Sequence, residues 1–504
     1  MQFNSIEFFF FFITVLILVN SLRKADFQQS ILLGASYLFY WLTSNYFILL
    51  LLFITIISYQ SGAAIYKSSD PGRKKTILTI AMICLLIPLG FFKYYNFGIE
   101  IFNQITLPFN ASLNIPFLDI ILPIGISFFT FSAISYVFDI YRGTIQPEKK
   151  FLRYVLFVSY FPHLLAGPIV RAGQFLPQMK NNISLNPDNL KIGVTIMLWG
   201  FVKKFVIADN CAPIVDAIFN NPTIFTSPYI FLGTILFGIQ IYFDFSGYID
   251  IALGAAKVIG LHLPQNFYRP YLSKSPTEFW SRWNITLSSF IKDYIYIPLG
   301  GNRKGKIRTY FNLEFTMLLC GLWHGASWNF VLWGGYHGIL LSLHKSVSKS
   351  RASSFPVILP SLKGNVRLLI EILVTQYFIF LGWIMFRVGN LSDMIYSVKK
   401  FVLFDFDFSI SPIRISGITK VVGTIGDSGL IINMIASVSF VIVIMLLLHN
   451  DYFVQKITRI LTTDWTRSIA SLQLKYWIVC LAIMIFILLS LTPSASPAFI
   501  YYQF

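Results

Sequence analysis

The stretch "GLWHGASWNFVLWGGYHG" (321–338) sets two imidazoles, His324 and His337, in a glycine-, tryptophan- and leucine-rich run with no carboxylate and no amine. A polar ring in such surroundings is costly in hydrocarbon and marks function by default. Held away from water, a neutral imidazole can take a proton from a hydroxyl group, so general-base catalysis is the chemistry to test. On one continuous helix, the 13 residues between the rings rise about 20 Å and turn the second ring to another face. The pair could not then serve one reacting atom. Gly325, Gly334 and Gly335 offer places to break the helix, but a single principal base is the simpler hypothesis. His324 fits it best, flanked by a tryptophan wall at Trp323 and a gap for substrate at Gly325.

Other buried polar groups lie in "QIYFDFSGYIDIALG" (240–254). Asp244 and Asp250 are six apart and do not share a helix face, so paired-carboxylate glycosidase chemistry is not expected. They could serve ion or proton movement in a transporter, or Asp244 could bond backbone or an arginine to hold a cavity's shape. Lys292 and Asp293 could act similarly. His163 reads as a hydrogen-bonded structural histidine, His262 as a loop residue, and His344 and His449 as span ends. Four scattered cysteines (84, 211, 320, 480) indicate neither a disulfide framework nor a metal site. Neither a Walker loop nor a dinucleotide fingerprint occurs, which argues against ATP-driven transport by this chain.

Positioning these groups is the work of membrane spans. Of 504 residues, 56% are hydrophobic and only 12% charged, with mean hydropathy +0.67; soluble proteins carry about 25% charged residues. Apolar runs fall near 6–22, 29–66 (two spans, broken at 43–45), 76–95, 119–141, 151–169, 190–208, 229–260, 309–324, 327–345, 367–387, 430–449 and 475–492. An all-α polytopic membrane protein of about 11–13 transmembrane or re-entrant helices around a central cavity follows, in a single domain over 1–504. The first run follows no basic segment and precedes no cleavage site, so it reads as a retained span. The net charge of +17 sits in short clusters such as 67–75, 141–153 and 300–308. This is the pattern of cytoplasmic loops in a lipid bilayer, and a nucleic-acid partner is rejected. The segment 388–428 reads as an exposed loop. Residues 262–308 mix aromatics with cations and read as short helices at the cytoplasmic face, with Ser275 as N-cap, Pro276 in the first turn and Glu278 three residues beyond the cap. Irregular backbone at that depth implies a cavity.

"FPHLLAGPIVR" (161–171), "WGFVKKFVIADNCA" (199–212), residues 242–305 and "LLCGLWHGASWNFVLWGGYHG" (318–338) resemble the membrane-bound O-acyltransferases, in the bacterial branch that acetylates alginate and other polysaccharides. The resemblance spans the chain. It implies a core over roughly 120–390, C-terminal spans and tail over 430–504, and a location in the bacterial cytoplasmic (inner) membrane. It makes His324, in the W-H-G motif, the catalytic residue. Asn284 falls in the R-W-[HN] motif where bacterial members commonly carry histidine; asparagine can orient a carbonyl or hydroxyl but takes no proton. His337 matches a recurring histidine of less certain role and, with Asp244, is a secondary candidate. Acetyl-CoA is the implied donor, a substrate and not a bound cofactor, with Arg269, Arg282, Lys292, Arg303 and Lys304 as candidates for its phosphates. The tail "TPSASPAFIYYQF" is similar to endings in which a tyrosine is proposed as acyl carrier, and Tyr501 takes that position. A periplasmic or cell-surface SGNH-type acetyltransferase partner and an exported glycan acceptor are implied, without telling which polymer. A transporter or flippase, or a family member acting on teichoic acid, lipid or protein, is the alternative.

Overall fold

The computed structural model describes residues 5–22, 24–106, 115–348, 364–407 and 471–493, with Met1, Phe3, Pro497, Phe499 and Ile500. The expected span at 430–449, His449 and Tyr501 lie outside these. Among the described residues there are helices and no strand. They are α1 Ile6–Ser21, α2 Ala25–Ser44, α3 Ile48–Lys67, α4 Pro71–Thr106, α5 Ile126–Tyr141, α6 Phe151–Ser159, α7 Phe161–Leu164, α8 Ala172–Phe175 and α9 Pro187–Phe201. There follow α10 Asp209–Phe219, α11 Ser227–Ile259, α12 Pro276–Arg282, α13 Ile285–Ile291, α14 Lys306–His324, α15 Trp328–Ser348, α16 Gly364–Arg387, α17 Leu391–Val402 and α18 Leu474–Leu491. Two stretches widen into π-helix, Val202–Ala208 and Lys292–Tyr296.

The break expected near 43–45 is present. Asn45 takes a left-handed backbone (φ 44°) and separates α2 from α3. At Ser275 the hydroxyl accepts the Glu278 amide at 3.2 Å, starting α12 as its sequence indicates, while the Glu278 carboxylate reaches back to the Lys274 amide at 2.8 Å.

Two expectations need correction. The run 151–169 is not one span: it splits at Tyr160 into α6 and the single turn α7, and from Tyr154 on its apolar side chains are buried in protein instead of facing lipid. The start of the expected loop 388–428 is helical, because Asn390 caps α17 through the Asp393 amide (2.8 Å) and the helix buries Met394 and Phe401.

Burial sorts the helices into layers. The most apolar window of α11 is 78% buried, making it the central post, whereas that of α18 is 0% buried and presents Phe486 and Leu489 outward, as a lipid-facing helix does.

Close helix contact rests on glycine. Between α9 and α11, a Cβ at Gly193 would lie 2.7 Å from the Gly254 carbonyl, and one at Gly200 would lie 2.6 Å from the Gly247 carbonyl. These two pairs, seven residues apart on each helix, make an antiparallel lane where backbones touch. In the α14–α15 hairpin, a Cβ at Gly321 would lie 2.1 Å from the Phe330 carbonyl, at Gly334 2.4 Å from the Met317 carbonyl, and at Gly338 2.4 Å from Glu314. Small residues four apart are the usual device for such approach in membranes. Because numbers rise on α15 as they fall on α14, the hairpin is antiparallel. Gly334→Ala is expected to overpack this contact by about 1–3 kcal/mol, read as a lower thermal midpoint in detergent. Gly90→Ala, whose Cβ meets nothing within 4 Å, is expected to leave the midpoint unchanged.

Candidate functional site

α14 ends at His324. Gly325 is extended, and the chain turns through Ala326 and Ser327 into α15. The helix breaks at Gly325, not at Gly334 or Gly335, which stay helical and serve packing. This changes the geometry expected of a continuous helix. Both imidazoles flank one indole: the Trp333 centroid is 4.9 Å from that of His324 and 4.7 Å from that of His337. His337 lies nine residues into α15, about 14 Å back along the hairpin. The two histidines therefore mark two depths beside a shared aromatic wall. Both are buried, at 4% and 1% exposure.

Around His324 stand Trp323, Trp333 and Phe386, with centroids at 4.7, 4.9 and 5.1 Å. His337 is enclosed by Trp280 and Trp333, and its Nε2 lies 2.9 Å from where a Cβ on Gly382 would stand. Neither ring nitrogen of His337 has a hydrogen-bond partner among the described residues. Such buried donors and acceptors are costly and need an account.

His324 lines a small cavity of about 70 Å³ with Lys93, Pro123, Ser127, Phe128, Leu165 and Trp323. Lys93, in α4, donates through Nζ to the Trp323 carbonyl in a short contact and to the His324 carbonyl at 3.1 Å. Tyr94 donates to the Leu322 carbonyl at 2.8 Å. Sequence reasoning missed Lys93, although a lysine inside the apolar run 76–95 is itself a signal.

Asn284 is buried and left-handed (φ 42°, ψ 55°) at the start of α13, with its Nδ2 unbonded among the described residues. Asparagine and histidine both enter that backbone region more readily than most residues, which gives the position a conformational requirement as well as a chemical one. The site is braced by Asn266, whose carbonyl accepts the Ile285 amide and whose Oδ1 accepts the Thr286 amide and hydroxyl, at 2.8–2.9 Å. Asn284 connects to the histidines through aromatic rings: Trp283 packs on Trp383 (4.9 Å), which stacks on Trp333 (6.3 Å).

The basic candidates are spread out. Arg282 pairs with Glu278 at 2.6 Å and lies over Tyr268, and the Arg269 carbonyl accepts a long bond from Arg282 at 3.4 Å. Lys292, Arg303 and Lys304 are exposed. The loop carrying Arg303 and Lys304 precedes Lys306, the first residue of α14, about 27 Å along the helix from His324. Lys345, near the end of α15, contacts the Tyr296 hydroxyl at 3.3 Å, so the far end of the hairpin meets the π segment beside this loop.

Asp244 belongs elsewhere. Its Oδ1 accepts Lys204 Nζ at 2.6 Å, and the same ammonium lies 2.8 Å from Asp209; all three are buried. Asp244 Oδ2 accepts the amide of Ile500 at 2.8 Å, and the Phe499 ring lies under the ammonium at 4.8 Å and against Tyr248 at 5.0 Å. Of the partners expected for Asp244, backbone is present as the Ile500 amide of the C-terminal tail, whereas the cation is Lys204 and not an arginine. Asp250 pairs with Lys203 at 2.6 Å, so each carboxylate of α11 has its own lysine from the π segment.

The remaining histidines are local. His163 Nε2 contacts the Phe157 carbonyl at 3.0 Å in an aromatic pocket, and His344 contacts the Thr277 hydroxyl at 2.9 Å. In the loop after α11, burial first and the Lys257 ammonium second hold the His262 imidazole below its ordinary range.

Against known proteins, residues 148–384 match the model of MBOAT, the membrane-bound O-acyltransferase family. A probable alginate O-acetylase of Azotobacter vinelandii is 37% identical over 399 residues, covering 78% of this chain and 76% of the relative. The chain belongs to the membrane-bound O-acyltransferase family. It is an acyltransferase and a multi-pass, all-α membrane protein. A peptidoglycan O-acetyltransferase of Helicobacter pylori is 36% identical over 394 residues (73% of this chain, 72% of the relative), and a teichoic acid D-alanyltransferase of Streptococcus thermophilus 29% over 305 (55% and 70%). The family match covers α12–α15 entirely, and with them Asn284, His324 and His337.

Removing the cation that Asp244 and Asp209 share leaves two buried carboxylates unpaired. Lys204→Met is expected to cost about 3–5 kcal/mol, the usual loss on breaking a buried pair. Asp244→Asn, which leaves Lys204 its partner Asp209, is expected to cost less than half of that. Chemical denaturation in mild detergent measures both.

Proposed function

We propose that this chain moves an acetyl group from cytoplasmic acetyl-CoA across the bacterial cytoplasmic membrane toward an exported polysaccharide, with His324 as general base. The observation that carries the reading is His324 itself, at the broken end of α14, walled by aromatics and opening on a cavity. The acetyl-transferring relatives agree with it.

In this reading His324 takes the proton of an acceptor hydroxyl, and the oxygen attacks the thioester carbonyl. The resulting tetrahedral adduct collapses, the carbon–sulfur bond breaks, and the departing CoA thiolate recovers the proton from the imidazolium. Asn284 orients the acyl carbonyl or the acceptor, a role its buried amide suits. His337, deeper along the hairpin, flanks the path of the donor's arm. Exposed Lys292, Arg303 and Lys304 attract the phosphates, while Arg282 spends much of its charge on Glu278. Donor and acceptor entering from opposite faces keep CoA inside while the acyl group leaves. An SGNH-type partner outside completes delivery to the polymer.

Tyr501 is the proposed relay: it accepts the acetyl group and passes it to that partner. Its support is that the residues just before it, Phe499 and Ile500, are buried and bound to the Lys204–Asp244 cluster. A transporter reading loses ground because Asp244 and Asp250 are each engaged by a lysine.

Two experiments decide. His324→Ala is expected to lower acceptor-stimulated CoA release by purified protein about 10²–10⁴-fold, the usual contribution of general-base catalysis; undiminished release removes His324 from the mechanism. Tyr501→Phe is expected to abolish acetyl groups on the exported glycan, measured after alkaline release, whereas unchanged acetylation eliminates the relay.

A further inference from the structure

Lys93 meets the helix end that carries His324. With Tyr94 it supplies donors to three successive carbonyls, Leu322, Trp323 and His324. The last carbonyls of a helix have no intrahelical donor, and they carry the negative end of the helix dipole. A cation there is favoured, and this one also stands over the Trp323 ring, with Nζ 5.9 Å from the centroid.

Capping alone asks only for neutral donors, as Tyr94 illustrates. Lys93 differs in position: it lines the same cavity as His324. An ammonium has three protons, and two carbonyls are the acceptors it meets among the described residues. The third proton is left for a ligand. It belongs to a group held by backbone carbonyls next to the candidate base, in a recess otherwise walled mainly by Leu122, Pro123, Phe128 and Leu165.

We propose that Lys93 is a further catalytic residue, whose third N–H donates to the acyl carbonyl oxygen as acyl transfer makes it negative. As the acceptor oxygen bonds to the carbonyl carbon, the carbonyl π electrons move to its oxygen and Lys93 bonds the oxyanion. When the electrons return and expel the thiolate, the lysine keeps its proton throughout. Such a donor, fixed before the charge develops, is the arrangement that stabilises a tetrahedral intermediate most. The inference rests on the acyl-transfer reading above.

The test compares Lys93→Met, Lys93→Gln, Lys93→Arg, Tyr94→Phe and His324→Ala in the full-length protein, measuring kcat, the KM for acetyl-CoA and the thermal midpoint. Lys93→Met is expected to lower kcat by about 100-fold or more, as loss of an oxyanion donor does, with KM changed less than about threefold. Lys93→Gln, which keeps a neutral donor for the carbonyls, is expected to be as inactive and serves if the methionine variant does not fold. Lys93→Arg is expected to recover kcat to within about tenfold of the parent, since it restores the charge-assisted donor. Tyr94→Phe is expected to lower the midpoint while kcat stays within about threefold, because it removes a cap and no catalytic group. A smaller loss in both Lys93→Met and Lys93→Gln, failure of arginine to recover, or an equal loss in Tyr94→Phe overturns the role. If His324→Ala remains active, the functional reading itself fails; if it is silent while Lys93→Gln is active, only the role of Lys93 does.

Discussion

A helix that stops inside an apolar protein leaves carbonyls that water cannot reach. α14 stops in this way at His324, and the structure around it answers that one constraint. Lys93 and Tyr94 come from α4, some 230 residues earlier, to bond the last three carbonyls. Bringing α4 there fixes one wall of the cavity, and α5 with its approach, from Leu122 to Phe128, supplies much of the rest. The break that creates the problem also creates the site, because only a broken helix folds back to set His337 and His324 on either side of Trp333.

Glycine and tryptophan divide the remaining labour. Glycines let α14 and α15 touch backbone to backbone, which leaves no room for solvent within the hairpin. Tryptophans 280, 283, 333 and 383 then form a continuous ring network behind it. An apolar surround of this kind strengthens each polar interaction it encloses and raises the cost of each polar group it leaves unmet. A histidine acting as base would gain from the first effect, and the unbonded nitrogens of His337 display the second.

Most spans were legible because lipid demands long apolar runs, and the local punctuation was legible because turn chemistry is short-ranged: Asn45 between α2 and α3, Ser275 before α12. His324 could be singled out from its tryptophan and glycine neighbours. Its relation to His337 could not, since that depends on the break falling at Gly325 instead of Gly334 or Gly335, and tertiary packing makes the choice. The run 151–169 misled because protein burial and lipid burial leave the same apolar signature. α17 was read as loop because it is short and sits in a longer segment, 388–428, whose charges and Ser-Gly pairs set its character. Lys93 and Asp244 show the limit most clearly. Each announces itself as a charge in an apolar run, yet Lys93 bonds a carbonyl 230 residues away, and Asp244 bonds Lys204, 40 residues before it, and the Ile500 amide, 256 residues after it; nothing local points to these partners.

The π segment after α9 carries a consequence for how the molecule can move. Lys203 and Lys204, neighbours in the chain, reach Asp250 and Asp244 on different sides of α11, while two glycine pairs lock the same helices along their length. Neither twisting nor sliding of α9 along α11 can preserve both ion pairs, so these helices behave as one rigid spine. Breathing that admits or releases a substrate must then come from the hairpin, from α16, or from the α4–α5 wall. The Lys93 contact, where two of those movable pieces meet, becomes the latch between them.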